Sequence, residues 1–158
     1  MFAEQMIPHH EQAIEMADMV FGKPGMDPRV IDLAKQIKAA QGPEIQQMQS
    51  WLSQWGMPTM PNHGMMPGMS GMPDMDDTNG VGGGMMSDGD MTALQNAEGP
   101  EANKLFLSQM ITHHQGAITM AQREIANGQY PAATAMARSI VTSQQQEIDT
   151  MTKLLVSL

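Results

Sequence analysis

Residues 2–21, FAEQMIPHHEQAIEMADMVF, return as residues 106–125, FLSQMITHHQGAITMAQREI, at a constant offset of 104. Phe2, Gln5, Met6, Ile7, His9, His10, Ala13, Ile14, Met16 and Ala17 meet identical residues at Phe106, Gln109, Met110, Ile111, His113, His114, Ala117, Ile118, Met120 and Ala121. On a period of about 3.6 residues, Phe2, Met6, His9, Ala13, Met16 and Val20 share one face, with His10 and Ala17 along its edge. Each block therefore reads as an amphipathic helix whose apolar stripe carries histidines. A weaker match at offset 103 pairs Pro28, Ala34, Ile37, Gln41, Glu44, Ile45, Met48 and Leu52 with Pro131, Ala137, Ile140, Gln144, Glu147, Ile148, Met151 and Leu155. The repeating unit is a pair of helices.

Gly22 and Gly128 stop the first helix of each pair, and Pro28 and Pro131 open the second, where a missing N–H costs little. Asp27 is placed to cap the helix at Pro28. The expected helices are 1–21, 28–55, 99–127 and 131–157. Neither hairpin can cover its apolar stripe alone, so the expected fold is all-α, a four-helix bundle in one domain, 1–158. It comprises hairpin 1–55, a Met/Gly/Pro-rich crossover 56–98 without helix or strand pattern, and hairpin 99–158. Pro8 stands where the second copy has Thr112, which predicts a kink or a helix start just before His9. Gly42 and Pro43 replace Gln145 and Gln146 and predict a similar interruption. Met1 aligns with Leu105, so the turn PEANK at 100–104 has no counterpart in the first hairpin, and the natural chain is expected to extend upstream.

The net charge is −9, and no Lys or Arg lies between Ala39 and Asn103, which leaves no positive field for a nucleic-acid backbone. No run approaches 18 apolar residues, so no transmembrane segment is expected, and the opening residues lack the pattern of a signal peptide. The chain has no cysteine and 20 methionines. Thiolate chemistry, disulfides and Cys-based zinc or iron–sulfur sites are excluded. The remaining soft ligand is the thioether, which favours Cu(I), and a soft-ligand protein without thiols suits an oxidising compartment.

On the second helices, Ile37, Gln41, Glu44, Ile45 and Met48 line one surface, matched by Ile140, Gln144, Glu147, Ile148 and Met151. A carboxylate among apolar neighbours needs a partner, and the histidines are the candidates for Glu44 and Glu147. Met6, His9 and His10, with Met110, His113 and His114, are candidate metal ligands, and Gln41, Glu44, Gln144 and Glu147 would support them from behind. The same spacing also fits apolar filling with histidines bonded to Gln or Glu across a core. His9 and His10 point about 100° apart, so one of each pair would bind metal while its neighbour makes a supporting or a surface contact. Met16, Met19, Met48, Met120, Met136 and Met151 read as packing residues.

The crossover differs. From Met57 to Met91 it carries ten methionines amid glycine and proline, and Met57, Met60, His63, Met66, Met69, Met72 and Met75 recur at every third place. A polyproline-like chain would set consecutive ligands about 9 Å apart, too far to share an ion, so the segment must curl at Gly64, Gly68 and Gly71 to chelate. Candidate ligands here are Met57, Met60, His63, Met65, Met66, Met69, Met72, Met75, Met85 and Met86. Asp74, Asp76, Asp77, Asp88 and Asp90 attract any cation, while sulfur selects a soft one. A biased segment without structure and an apolar cover over the bundle are the bland alternatives.

The paired FxxQMIxHHxxAIxMA blocks, Phe2 to Ala17 and Phe106 to Ala121, and the QxxEIxxM blocks, Gln41 to Met48 and Gln144 to Met151, resemble the domain-of-unknown-function family 305, a ferritin-like helical family. The resemblance implies a bundle with Met and His copper sites, a periplasmic or extracellular location, and a role in copper tolerance by binding Cu(I) or handing it to a copper exporter or carrier. Ferritin-type di-iron enzymes place Glu three residues before His. Here Met6 and Met110 stand three residues before His9 and His113, a soft ligand in place of a hard one, which disfavours iron oxidation.

The residues and the resemblance together point to a non-enzymatic Cu(I)-binding protein that also accepts Ag(I). Two other classes stay open at this level. One is a ferritin-like metalloenzyme, which needs an open coordination position and a substrate pocket. The other is a structural or interaction bundle that grips a partner through its Met-rich segment.

Overall fold

The computed structural model describes residues 2–57 and 83–158. Five helices account for them, with no strand among the described residues: α1 Phe2–Phe21, α2 Pro28–Gln54, α3 Asp88–Asn96, α4 Gly99–Asn127 and α5 Pro131–Ser157. The four long helices follow the expected spans closely. Asp27 caps α2 by accepting from the Arg29 amide at 2.9 Å, with Pro28 fitting the first turn. Pro8 and Pro43 both lie inside unbroken helices, so neither the late start at His9 nor the interruption at Gly42 and Pro43 is seen. Each proline removes only one backbone bond, and packing along the rest of the helix outweighs that loss.

Packing follows the repeat. α1 lies along α2, α4 lies along α5, and the two pairs meet mainly where α1 crosses α4. The core has two apolar halves. One holds Ala13, Met16, Val20, Leu33, Ile37, Phe106, Met110 and Met151, and the other holds Met6, Ile45, Met48, Trp51, Ala117, Met120, Ala137 and Ile140. Repeat-related residues fall in opposite halves: Met6 and Met110, Met16 and Met120, Ile37 and Ile140, Met48 and Met151. The end of α1 thus packs with the start of α4, so the two helices run antiparallel about a local two-fold. At the crossing, between the halves, sit the four histidines.

The third helix departs from expectation, because 88–96 falls in the stretch read as crossover without regular structure. Its signal is short: Ser87 Oγ accepts from the Asp90 amide at 3.1 Å, and the Asp90 carboxylate accepts from the Ser87 amide at 3.2 Å. This is a capping box with Asp in the usual Glu position. Leu94, fully buried, anchors α3 into the half-core containing Met16. At the other end the Lys23 ammonium donates to the carbonyls of Gln95 and Ala97 at 2.6 and 2.7 Å, a cation where the helix dipole is negative. Ser87→Ala should cost about 1 kcal/mol locally. Hydrogen exchange of the α3 amides should quicken while the four long helices keep their protection, and unchanged exchange in α3 would mean that the cap does not hold this helix.

Candidate metal centre

The helix period carries His9 and His113 inward to the same point, where their ring centroids stand 3.7 Å apart at an interplanar angle of 34°. His10 and His114, one position on, turn back into their own hairpins. His10 Nε2 donates to Glu44 Oε2 at 2.6 Å, and His114 Nε2 donates to Glu147 Oε2 at 2.5 Å. All four imidazoles are at most 1 % exposed, whereas the two carboxylates keep about a fifth of their side-chain surface in solvent. The approximate two-fold therefore relates two His–Glu pairs around a central pair of stacked rings.

Symmetry ends at residues 83–86, just before α3. Gly83 and Gly84, at φ +94° and +75°, bring a short strap across α4, and the Gly83 carbonyl accepts from His9 Nε2 at 2.7 Å. The strap fits because Gly116 has no side chain: a Cβ there would collide with the Gly83 carbonyl and sit 2.7 Å from the Gly84 nitrogen. The repeat mate of Gly116 is Gln12, and its amide clasps the same strap, donating to Met86 O at 2.9 Å and accepting from Met86 N at 2.8 Å. One copy makes room for the strap while the other binds it. His113, the mate of His9, has no protein hydrogen bond at either ring nitrogen.

These contacts fix the chemistry of the rings. A carbonyl oxygen only accepts, so His9 carries its proton on Nε2 and its lone pair on Nδ1. The Nδ1 atoms of His9, His10 and His114 are buried without a protein partner, as are both nitrogens of His113. An unmet buried polar group costs about 1–3 kcal/mol, so a layer kept only for packing is a poor use of four imidazoles. Backbone carbonyl or carboxylate on one nitrogen and an open lone pair on the other is the arrangement of metal-ligating histidines. Burial pushes the His9 imidazole from its ordinary 6.5 down to about 4; the Gly83 carbonyl opposes this, and His10 and His114 add repulsion. Burial also holds His113 well below the usual range, with His9, His114 and His10 adding to it, while the His9 carbonyl pulls weakly the other way without making a hydrogen bond. The central rings are neutral and ready to ligate at physiological pH.

No three His, Asp or Glu side chains among the described residues converge to hold one ion. The thioethers around the imidazole layer are the further donors, and their chemistry fits a soft cation. Met6 and Met110 are fully buried one turn before His9 and His113, but they pack into opposite apolar halves and do not meet. Met85 and Met86, adjacent in the strap, diverge: Met86 enters the half-core with Met16, while Met85 is half-buried in surface grooves. Met57 packs against the other half-core. Gln41 and Gln144 are buried, each with its side-chain oxygen lacking a protein partner. Met60, His63, Met65, Met66, Met69, Met72 and Met75 lie outside the described residues.

Two residues gain a place that the sequence pattern did not give them. Met120, which reads as packing by its helix position, lines a cavity with His9 and Met85. Gly116 is the residue that admits the strap, and its signal is the Gln12 to Gly116 mismatch inside two otherwise matching blocks.

A helical protein whose duplicated hairpins bury a layer of imidazoles between thioether-rich halves is the class these observations define. The family model described as Domain of unknown function (DUF305) matches residues 1–155, and the chain belongs to that family. Among solved structures it is similar to a DUF305 fragment from Deinococcus radiodurans, with 30 % identity, 99 % of this chain and 94 % of that chain covered, and a TM-score of 0.81. A putative secreted DUF305 protein from Streptomyces coelicolor matches at 30 % identity, with coverage of 99 % and 90 % and a TM-score of 0.82. CopM in its Cu(I)-bound form matches at 29 % identity, with coverage of 99 % and 94 % and a TM-score of 0.75; Cu(II)-bound and Ag-bound forms of CopM match as well. No curated protein matches the chain.

Proposed function

We propose that this chain is a non-catalytic binding protein for Cu(I), accepting Ag(I) in its place, that acts in copper sequestration, tolerance or transfer. The observation that carries the reading is the layer of four buried imidazoles, supported on one side by Glu44, Glu147 and the Gly83 carbonyl and open on the other. CopM, similar over 99 % of this chain, binds Cu(I), Cu(II) and Ag, and the soft donor set here suits the monovalent ions. The architecture we propose is one ferritin-like four-helix bundle built from hairpins 1–55 and 99–158 around a Met-rich crossover. In it Met6, His9, His10, Met110, His113 and His114 supply the buried donors, and the crossover methionines with His63 supply the outer ones. Thioethers exchange by adding one sulfur before another leaves, so the ion can pass to an exporter or a second carrier. The Streptomyces coelicolor relative, described as a putative secreted protein, supports a periplasmic or extracellular location.

Titration of the apo protein with Cu(I) against a competing chelator tests this. The intact chain should bind several equivalents. Replacing Met57 to Met75 by a Ser/Gly linker should remove the outer equivalents and leave the inner ones, while substituting His9, His10, His113 and His114 should do the reverse. An intact chain that leaves all the Cu(I) with the chelator ends the proposal.

A further inference from the structure

Duplication gives the fold two equivalent surroundings, one around His9 and one around His113, and the strap with α3 makes them different. On the His113 side, its neighbour by repeat is Met16, the mate of Met120. Met16 and His113 are fully buried, and Met16 shares its half-core with Met86 and the α3 residue Leu94. On the His9 side a cavity of about 260 Å³ remains, lined by His9, Met85 and Met120 with Gln5, Pro8 and Arg123. Gly83 ties these donors together: its carbonyl accepts from His9 Nε2 at 2.7 Å, and a Cβ on it would lie 3.3 Å from Met120 Sδ.

Resting on the copper-binding reading above, we infer that His9, Met85 and Met120 form a single open site for a monovalent soft cation, and that the equivalent position at His113 and Met16 is closed by Met86 and α3. The donors are two thioethers and one imidazole. The nitrogen His9 has free is Nδ1, buried without a protein partner, because Nε2 is committed to Gly83. Met85 also lines the adjoining groove on α1, with Glu11, Glu15 and Asp18 along it, the last paired with Lys38 at 2.6 Å, so the sulfur that closes the site is the one beside these carboxylates. Arg123 at the rim opposes any cation. Its repulsion scales with the ion's charge, so it turns away a divalent ion twice as strongly as Cu(I) or Ag(I).

The test uses the full chain with its methionine ε-methyl groups labelled for NMR, titrated with Ag(I) against a competing ligand, with signals assigned from Met85→Leu, Met120→Leu, Met16→Leu and Met86→Leu. Leucine keeps the volume and removes the sulfur, and melting curves confirm that each variant is folded. The Met85 and Met120 signals should move together at the same equivalents while Met16 and Met86 stay in place. Met120→Leu should push that movement at Met85 to higher free Ag(I), by at least as much as loss of an outer-shell partner does, about 10–100-fold. Arg123→Gln should strengthen binding of Cu(II) more than of Ag(I). If Ag(I) binds while Met85 and Met120 stay still, or if Met16 and Met86 move instead, this site is wrong and the copper-binding reading stands. If the wild-type chain takes up no Ag(I) at all, it is that reading that falls.

Discussion

Gly116→Ala is expected to destabilise the protein by about 2 kcal/mol and to lift residues 83–86 from α4. Two effects oppose each other. Alanine in place of glycine inside a helix favours folding by about 1 kcal/mol, whereas overpacking a filled site costs about 1–3 kcal/mol. The obstacle decides the sign, because the new Cβ meets the Gly83 carbonyl and the Gly84 nitrogen, which belong to backbone and not to a side chain that could swing away. The strap must leave, and with it goes the bond from His9 Nε2. For a chain of this size the melting temperature should fall by roughly 4–8 °C, and the Met86 amide, held by Gln12, should lose its protection from hydrogen exchange. Gly89→Ala is the control, since its Cβ would meet only Ser87 Oγ at 3.7 Å. Gly116→Gln, which installs the residue of the first copy, should behave as Gly116→Ala does or worse. A Gly116→Ala protein as stable as the wild type, with Met86 still protected, would mean that the strap does not depend on this close approach.

The same position shows where the sequence is legible and where it stops. The all-α fold and the spans of the long helices followed from the repeat because apolar periodicity is written in every turn of α1, α2, α4 and α5. The inward and sideways division of His9 from His10 followed from the angle between successive residues. Three features did not follow. α3 is nine residues long and announces itself only through Ser87 and Asp90, too little period to stand out beside the glycines before it. Pro8 and Pro43 carry strong local signals against helix that tertiary packing overrides. The meeting of Met85, Met120 and His9 depends on the path of the strap between helices, and no spacing within one helix encodes that path. Met16 and Met120 are identical by repeat, yet one is sealed behind α3 while the other borders a cavity.

Acid should undo the apo protein through its central rings. The free imidazole takes up a proton near pH 6.5, while burial holds His9 at about 4, so between these values the unfolded chain binds a proton that the folded chain does not. Stability then rises with pH across that window: the contribution is intact above 6.5 and is lost as pH falls toward 4. A tenfold difference in proton affinity between the two states corresponds to about 1.4 kcal/mol, so His9 alone should account for about 3 kcal/mol between pH 7.5 and 4. His113, its ring centroid only 3.7 Å away and itself held well below its ordinary range by burial, adds a loss of the same sign, because two charged rings cannot share that space. His9→Gln separates the titration from the hydrogen bond, as its amide nitrogen can donate to Gly83 without taking up a proton. Urea unfolding of the metal-free chain should therefore show a slope about 1 kcal/mol per pH unit shallower in His9→Gln than in the wild type between pH 6 and 4.5. Equal slopes would place the neutral ring elsewhere. Saturating Ag(I) should raise the whole wild-type curve and carry its His9-dependent slope below pH 4, because an ion on the Nδ1 lone pair keeps the proton off the folded chain there too; the burial that makes the apo fold acid-sensitive is what keeps that lone pair available for metal.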